Sequence, residues 1–198
     1  KNVKIKSLFR EYQPKIANEP LLKHAEVAFI LCGKKNLENM KVVFIQRSIS
    51  ENDPWSGQMA FPGGRREDID TIAGDAACRE SFEEIGVRLK KSNQIGRLDD
   101  LFGRTVSKNK DLVVSCFVYS VECIPSFAIN NEVLEVVMIP VYSLLDPQLF
   151  TRIQRQSLYQ SSYPGIRIRE NDERVIWGLT YRFIRNFFGI FDYKLPEF

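Results

Sequence analysis

Three glutamates stand close together in a segment with the pattern of a helix. At about 100° per residue, residues 71–85 place Glu80, Glu83 and Glu84 within one arc of about 100°. Carboxylates about 5 Å apart in a cleft repel each other by about 3 kcal/mol per pair at an effective dielectric near ~20. A divalent cation between them removes that repulsion, and hard ions such as Mg²⁺ take oxygen ligands. The same spacing is also typical of a Glu-rich face in solvent, where each like-charged pair costs roughly 0.3 kcal/mol.

The opposite side of the same wheel predicts how the helix is held. It carries Cys78, Phe82 and Ile85, an apolar stripe that we expect to dock on a sheet. Gly86 follows immediately and is placed to end the helix.

A glycine-containing loop, Phe-Pro-Gly-Gly at residues 61–64, comes shortly before this helix. Glycines let the backbone approach another group closely and present its amides without obstruction by side chains. A short glycine turn alone is more often a simple bend. The loop, the three carboxylates, Arg79 beside them and Gly86 behind them form a far more specific combination.

This combination resembles the signature of the Nudix hydrolases, G-x5-E-x7-R-E-U-x-E-E-x-G-U, where U is a bulky apolar residue. The residues that match it are Gly64, Arg79, Glu80, Glu83, Glu84, Gly86 and Val87. The spacing from Gly64 to Arg79 is one residue longer than the pattern. The first glutamate of the pattern is replaced by Asp70 or lost in that insertion, and Ser81 stands where an apolar residue is usual.

The residues before this segment resemble the extra motif of the coenzyme A diphosphatase branch, roughly R-S, a short spacer and H-x-G-Q-V-x-F-P-G-G-K. Here Arg47 and Ser48 are followed by Gly-Gln-Met-Ala-Phe-Pro-Gly-Gly at residues 57–64. The histidine is absent, with Pro54 and Trp55 in its place, and Arg65 replaces the usual lysine. The similarity covers roughly residues 25–190.

The resemblance implies hydrolysis of a diphosphate joined to another group, commonly a nucleoside, with Mg²⁺ or Mn²⁺ as cofactor. It implies Glu80 and Glu84 as principal metal ligands, Glu83 as a further ligand or base, and the Gly64 carbonyl as a ligand. For Arg79, which lies beside the acidic arc, we favour an ion pair that orients a carboxylate over a contact to phosphate.

Further site residues are expected outside the helix. Nudix enzymes often recruit a base or ligand from elsewhere, and Glu132 is our candidate, with a plain surface glutamate as the alternative. Arg47, Arg65 and Arg66 are candidate phosphate contacts because guanidinium groups bind phosphate in a forked geometry, although each could instead be solvated. Trp55 is expected either to stack on a base of the substrate or to anchor its own loop.

A strand-rich chain with a few helices must position these groups. The predicted strands lie at residues 25–32, 42–47, 94–98, 112–119 and 133–139, and the predicted helices at 3–12, 71–85 and 177–188, the last an aromatic helix of the core. This mixture predicts an α/β fold, a three-layer α/β/α sandwich with a mixed β-sheet, which the resemblance identifies as the Nudix fold. We assign residues 1–20 to an N-terminal helical extension and 21–198 to the Nudix domain, including its C-terminal helix.

Composition limits the partners. The net charge of +3, with acids and bases interspersed, argues against duplex nucleic acid, and no apolar run approaches the roughly 18 residues of a membrane helix. The four cysteines are scattered without a close pair, which predicts reduced thiols in an intracellular, cytoplasmic protein. Because the first residue is Lys1, a lost organelle-targeting segment is left open.

Two classes of function are therefore weighed. The first is a diphosphatase whose small-molecule substrate is coenzyme A or a derivative, or else NADH, ADP-ribose or a dinucleoside polyphosphate. The second is a non-catalytic module that binds a nucleotide or a protein. Assembly as a homodimer is left open.

Overall fold

The computed structural model describes residues 5–34, 36–51, 55–103, 111–124, 126–155 and 161–196. Within these ranges the α-helices are α1 (Ile5–Glu11), α2 (Asp75–Ile85) and α3 (Gly178–Gly189). The strands are β1 (Lys23–Cys32), β2 (Lys41–Arg47), β3 (Met59–Ala60), β4 (Gly63–Arg65), β5 (Gln94–Arg97), β6 (Leu101–Gly103), β7 (Leu112–Val121), β8 (Val133–Pro140), β9 (Phe150–Arg155), β10 (Ser161–Arg167) and β11 (Val175–Trp177). No helix in these ranges is long and apolar enough to cross a membrane.

A mixed eight-stranded sheet forms the centre of the fold. β1 runs parallel to β7 from the pair Lys23–Leu112 to the pair Cys32–Val121, and antiparallel to β2 and β4 on its other side. β2 also pairs with β3 and β8, while β7 pairs with β5 and β6. β9, β10 and β11 form a separate antiparallel sheet. One parallel pair within an otherwise antiparallel sheet confirms the predicted mixed sheet.

Helices cover both faces of this sheet. On one face, Ile85 of α2 joins Ile30 of β1 in a buried cluster. On the other face lie α1 and α3, and Phe187 of α3 stacks on Phe29 of β1 with ring centroids 4.5 Å apart. Alternate residues of β1 enter opposite cores, as the pleat of a strand requires. The predicted three-layer α/β/α arrangement is confirmed.

The aromatic C-terminal helix belongs to the core, as predicted. Its buried residues are Tyr181, Phe183, Ile184, Phe187 and Phe188. Trp177, predicted to begin the helix, instead precedes it as a half-buried residue in extended conformation.

Helix α1 packs on the same face as α3. The first two residues of the predicted helix over 3–12 lie outside the described residues. Phe9 is buried so close to β5 that a Cβ at Gly96 would overlap its ring. Tyr12 donates its hydroxyl proton to Asp99 Oδ1 (2.6 Å) and accepts from Asn186 Nδ2 (2.9 Å). The division of the chain at residue 20 stays a prediction.

Helix α2 begins later than the sequence pattern predicts. Gly74 has a φ of 90°, a left-handed conformation that cannot continue a right-handed helix, so the first helical residue is Asp75. At the other end, Gly86 has a φ of 73° and its N–H donates to the Phe82 carbonyl (2.9 Å). The predicted stop at Gly86 is therefore confirmed.

The predicted docking stripe of α2 is wrong at Phe82. This ring is 41% exposed, and the guanidinium carbon of Arg88 lies 3.7 Å from its centroid. Of the other two predicted residues, Ile85 is buried and Cys78 is partly buried against the same core. The other buried residues of the helix are Ala76, Ala77, Ser81 and Glu84. The Ser81 hydroxyl donates to the Ala77 carbonyl (2.7 Å), so a small polar side chain is tolerated where an apolar one is usual.

Candidate active site

The three glutamates of α2 lie at different depths of one surface. The Glu84 side chain is 2% exposed, that of Glu80 is 17% exposed and that of Glu83 is 50% exposed. The acidic arc therefore runs from the interior of the protein out to solvent.

Strand β4 brings the glycine loop against the buried part of this arc. The Gly63 N–H donates to Glu84 Oε2 (2.9 Å). At the next residue, a Cβ added to Gly64 would overlap the Glu80 carboxylate. Glycine at this position lets the backbone approach Glu80 as closely as it does.

Arg79 binds several of the acidic groups at once. Its Nη1 donates to Glu80 Oε1 (2.9 Å) and Glu83 Oε2 (3.1 Å). Its Nε and Nη2 donate to the two oxygens of Asp70 at 3.2 and 2.9 Å, and Nη2 also donates to the Arg65 carbonyl (3.0 Å). These contacts favour the ion-pair interpretation of Arg79 over a direct phosphate contact.

Asp70 occupies the place that the signature reserves for its first glutamate. Its side chain is 3% exposed, and hydrogen bonds from Arg79 hold the pKa of the carboxyl below its ordinary value. The Glu67 N–H also donates to Oδ2 (2.9 Å). Of the two interpretations of this departure, replacement by Asp70 fits the geometry.

Glu84 is a carboxylate in an environment that disfavours its charge. Its pKa is raised to about 7, chiefly by burial and in part by the charges of Glu80 and Glu132. The hydrogen bond from Gly63 opposes this rise, as does Arg47, whose Nη1 lies 4.0 Å from Glu84 Oε1. Arg47, at the end of β2, is thus brought to the candidate site.

The pKa of Glu80 is shifted by similar causes. Burial raises its pKa, the charges of Glu83 and Glu132 add to the rise, and Arg79 opposes it. The surroundings of Glu80 and Glu84 thus disfavour the charge of both carboxylates, an effect that an added cation would oppose.

Glu132 lies in the turn before β8 and is exposed. Its N–H donates to Asn130 Oδ1 (2.9 Å), and its carbonyl accepts from the Ser48 N–H (2.8 Å). The Asn130 N–H donates to the Glu84 carbonyl (3.1 Å), so this turn lies close to the acidic cluster. The charge of Glu132 helps to raise the pKa of both Glu80 and Glu84.

The other predicted substrate contacts have different surroundings. The Arg66 guanidinium donates to the Asp70 carbonyl (2.6 Å) and lies 3.6 Å from Glu26 Oε1. Arg65 is exposed on β4. Trp55 is half-buried and packs against the core on the face opposite α2, which fits the interpretation of a loop anchor.

The donor atoms suit a hard divalent cation. Carboxylates and the Gly64 backbone supply oxygen only, as Mg²⁺ and Mn²⁺ prefer. The Glu80 carboxylate lies directly against the Gly64 backbone, where a Cβ would overlap it, so these two oxygen donors are close together. Within the described ranges no three acidic, cysteine or histidine side chains already converge as a ready-made metal site. Since Glu80 and Glu83 bond Arg79, a cation would have to compete with that guanidinium for them.

Sequence reasoning missed one residue of this region. Glu26 on β1 is 2% exposed, and its Oε2 accepts the N–H groups of Gly74 and Ala76, each at 3.0 Å. The available signal was a single acidic residue within an otherwise apolar strand pattern.

Comparison with known proteins gives concordant matches. A family model described as the NUDIX domain matches residues 22–160. "Uncharacterized protein C14C4.10c" of Schizosaccharomyces pombe is 32% identical over 96% of this chain and 64% of its own length. "Probable nudix hydrolase C6G9.05" of the same organism is 28% identical over 87% of this chain and 59% of its own length. The chain thus spans about three fifths of the length of these curated relatives.

A solved structure shares the fold. The MutT/nudix family protein from Enterococcus faecalis superposes with a TM-score of 0.57 over 94% of this chain and 68% of that protein, at 17% identity. The likeness extends over almost all of the chain.

Proposed function

Since this chain belongs to the Nudix family, we propose that it is a Mg²⁺- or Mn²⁺-dependent hydrolase of a diphosphate linkage in a nucleoside diphosphate derivative. Glu84 is the residue that supports this most directly. It is a buried carboxylate bonded to the Gly63 amide, with Glu80 one helical turn earlier on the same surface. Such a charge is costly to keep without a counter-ion, because burial is the main cause that raises the pKa of Glu84 to about 7.

The acidic surface would hold the cations. Glu80 and Glu84 are proposed as principal ligands, with Glu83 and the Gly64 carbonyl as further donors. Bound there, the cations would neutralise phosphate oxygens and activate a water for in-line attack. Solvent exposure increases from Glu84 to Glu83, so a substrate could approach the site from the Glu83 side.

Two residues would assist this chemistry from different sides. Arg79, bonded to Asp70, orients Glu80 and Glu83. Glu132 is the proposed base that accepts a proton from the attacking water, because it is exposed and its charge helps to raise the pKa of both Glu80 and Glu84.

Arg47 is the proposed first contact to phosphate. It lies beside Glu84, where a guanidinium can bind a phosphate oxygen next to the reacting group. Arg65, exposed directly after Gly64, is the second candidate. Arg66 and Trp55 would first have to leave their present contacts with Asp70 and with the core.

Coenzyme A and its derivatives are the substrates that we propose to test first. This choice rests on the resemblance of residues 57–64 to the motif of that branch, from which the histidine is missing. NADH, ADP-ribose and dinucleoside polyphosphates share the diphosphate and are the alternatives.

A non-catalytic binding module is the rival. It is favoured by one observation, the engagement of Glu80 and Glu83 with Arg79 in place of a preformed site.

A substrate panel separates the two. Each diphosphate compound is incubated with Mg²⁺ or Mn²⁺, and product release is followed for the wild type, Glu84→Gln and the control Glu122→Gln, an exposed residue outside the site. We expect hydrolysis by the wild type and the control, and a loss of at least about 100-fold in Glu84→Gln. Equal turnover in Glu84→Gln would remove the metal assignment, and tight calorimetric binding without any hydrolysis would establish the rival.

The cellular setting is a further proposal. Cys32, Cys78, Cys116 and Cys123 are all free thiols, which supports an intracellular, cytoplasmic protein. The partner that we propose is a small nucleoside diphosphate derivative, and a homodimer stays a prediction.

A further inference from the structure

Glu26 lies where the central strand, the glycine loop and the N-terminus of α2 meet. It is on β1 and shares the strand face of Ala28 and Ile30, which pack in the core beneath α2. Its side chain does not belong to the acidic surface of α2, yet it is as buried as Glu84.

The Glu26 carboxylate caps α2 from outside the helix. Its Oε2 accepts from both the Gly74 and the Ala76 N–H groups, at 3.0 Å each. The first N–H groups of a helix have no partner within it and form the positive end of its dipole. The helix has no side-chain cap of its own, because its N-cap residue is Gly74. Glu26, although distant in sequence, therefore accepts the hydrogen bonds that the side chain of an N-cap Ser, Thr or Asp usually accepts.

The backbone of Glu26 holds the glycine loop. Glu26 is paired with Gly64 in the ladder between β1 and β4, and a Cβ at Gly63 would overlap the Glu26 carbonyl. One residue thus holds both the loop that binds Glu84 and the helix that carries Glu84.

The position of α2 along its own axis determines whether Glu80 and Glu84 lie opposite the backbone of Gly63 and Gly64. Glu80 and Glu84 follow Ala76 by four and eight residues, which is about 6 and 12 Å of helix rise. A displacement of the capped end would move both carboxylates together. The 2.9 Å bond from Gly63 to Glu84 leaves little tolerance for such a displacement.

We propose that Glu26 is a positioning residue that aligns Glu80 and Glu84 with the Gly63–Gly64 backbone by capping α2 from the central strand. It acts through the helix and touches neither substrate nor cation. Its consequence for cation binding rests on the proposed function, whereas its consequence for the Gly63–Glu84 bond does not.

Two measurements on one set of variants test this. Amide hydrogen exchange of Gly63, followed by NMR, reports the bond to Glu84. Titration with Mn²⁺ alone, followed by electron paramagnetic resonance, reports the cation site. The variants are Glu26→Ala, the shorter acid Glu26→Asp and the amide Glu26→Gln. The control is Leu31→Ala, which removes a fully buried side chain from the opposite face of the same strand, away from α2.

In Glu26→Ala and Glu26→Asp we expect Gly63 exchange about ten-fold faster and Mn²⁺ binding about ten-fold weaker. Glu26→Gln recovers most of both losses, because its amide oxygen can still accept the two N–H groups. Leu31→Ala lowers stability without either change.

Wild-type Gly63 exchange in both Glu26→Ala and Glu26→Asp would overturn the proposal, as would losses in Glu26→Gln equal to those in Glu26→Ala. If the wild type itself binds no Mn²⁺, the proposed function fails, and Gly63 exchange alone still decides the role of Glu26.

Discussion

Asp70 and Arg79 form a two-pronged ion pair that fixes the direction of the guanidinium within the acidic surface. The pair closes at 2.9 and 3.2 Å, with the Asp70 side chain 3% exposed. With two of its nitrogens engaged by Asp70, Arg79 presents Nη1 to Glu80 and Glu83. The buried Asp70 therefore orients, through Arg79, the carboxylates of Glu80 and Glu83, which lie nearer the surface.

Asp70→Asn should destabilise the protein. The amide keeps the shape but loses the charge, which leaves a largely buried guanidinium without its main partner. We expect the free energy of unfolding to fall by about 2 kcal/mol in urea denaturation. The control is Asp68→Asn, an exposed residue of the same loop, for which a change below about 0.5 kcal/mol is expected. Equal effects of the two substitutions would show that the Asp70–Arg79 ion pair does not contribute to the free energy of unfolding.

Gly64→Ala should impair the site without unfolding the protein. The added Cβ would overlap the Glu80 carboxylate, which must then turn away from the backbone. We expect Mn²⁺ binding and turnover to fall at least about ten-fold. Gly189→Ala is the matched control, because a Cβ there meets no atom within 4 Å. Full Mn²⁺ affinity in Gly64→Ala would mean that the approach of Glu80 to Gly64 is irrelevant to cation binding.

The helix wheel predicted that the three glutamates share a side of α2, because spacing alone decides that. It could not predict their depths, since the sheet covers one flank of the acidic arc through Ala76, Ala77 and Glu84. The start of the helix was missed for a local reason, the left-handed φ of Gly74. Glu26 lies 48 residues from the amide that it caps, a relationship that only the folded topology creates.

The corrected docking face of α2 predicts unequal costs for two large apolar residues. Phe82→Ala should cost less than about 1 kcal/mol, because the ring is 41% exposed. Ile85→Ala should cost about 3 kcal/mol, since Ile85 is fully buried. Urea denaturation of both variants measures the difference, and a larger loss for Phe82→Ala would restore the stripe expected from the wheel.

The hydroxyl of Tyr12 should make the stability of the fold depend on pH in the alkaline range. Burial and the hydrogen bond to Asp99 raise the pKa of Tyr12 to about 12. A pKa raised above the unfolded value of about 10 gives stability that is fully present below that pH and lost as the pH rises towards the folded value. Because the ring is partly exposed, we expect Tyr12→Phe to cost only about 1 kcal/mol at pH 8.

The difference between wild type and Tyr12→Phe should shrink between pH 10 and 12, as measured by urea denaturation at several pH values. Tyr163→Phe, at an exposed ring, should show a small and constant difference. A constant difference for Tyr12→Phe would contradict the link between the hydroxyl proton and the anchoring of α1.

The most direct test of the cation site is a Mn²⁺ titration of the wild type, Glu84→Gln and Glu122→Gln at pH 8, followed by electron paramagnetic resonance. At this pH most of the Glu84 carboxyl is ionised even without a cation, because its pKa is about 7. We predict that the wild type and Glu122→Gln bind Mn²⁺ with equal affinity and that Glu84→Gln binds it at least about ten-fold more weakly. Undiminished binding by Glu84→Gln, or no binding by the wild type, would contradict the assignment of the acidic surface of α2 as a cation site.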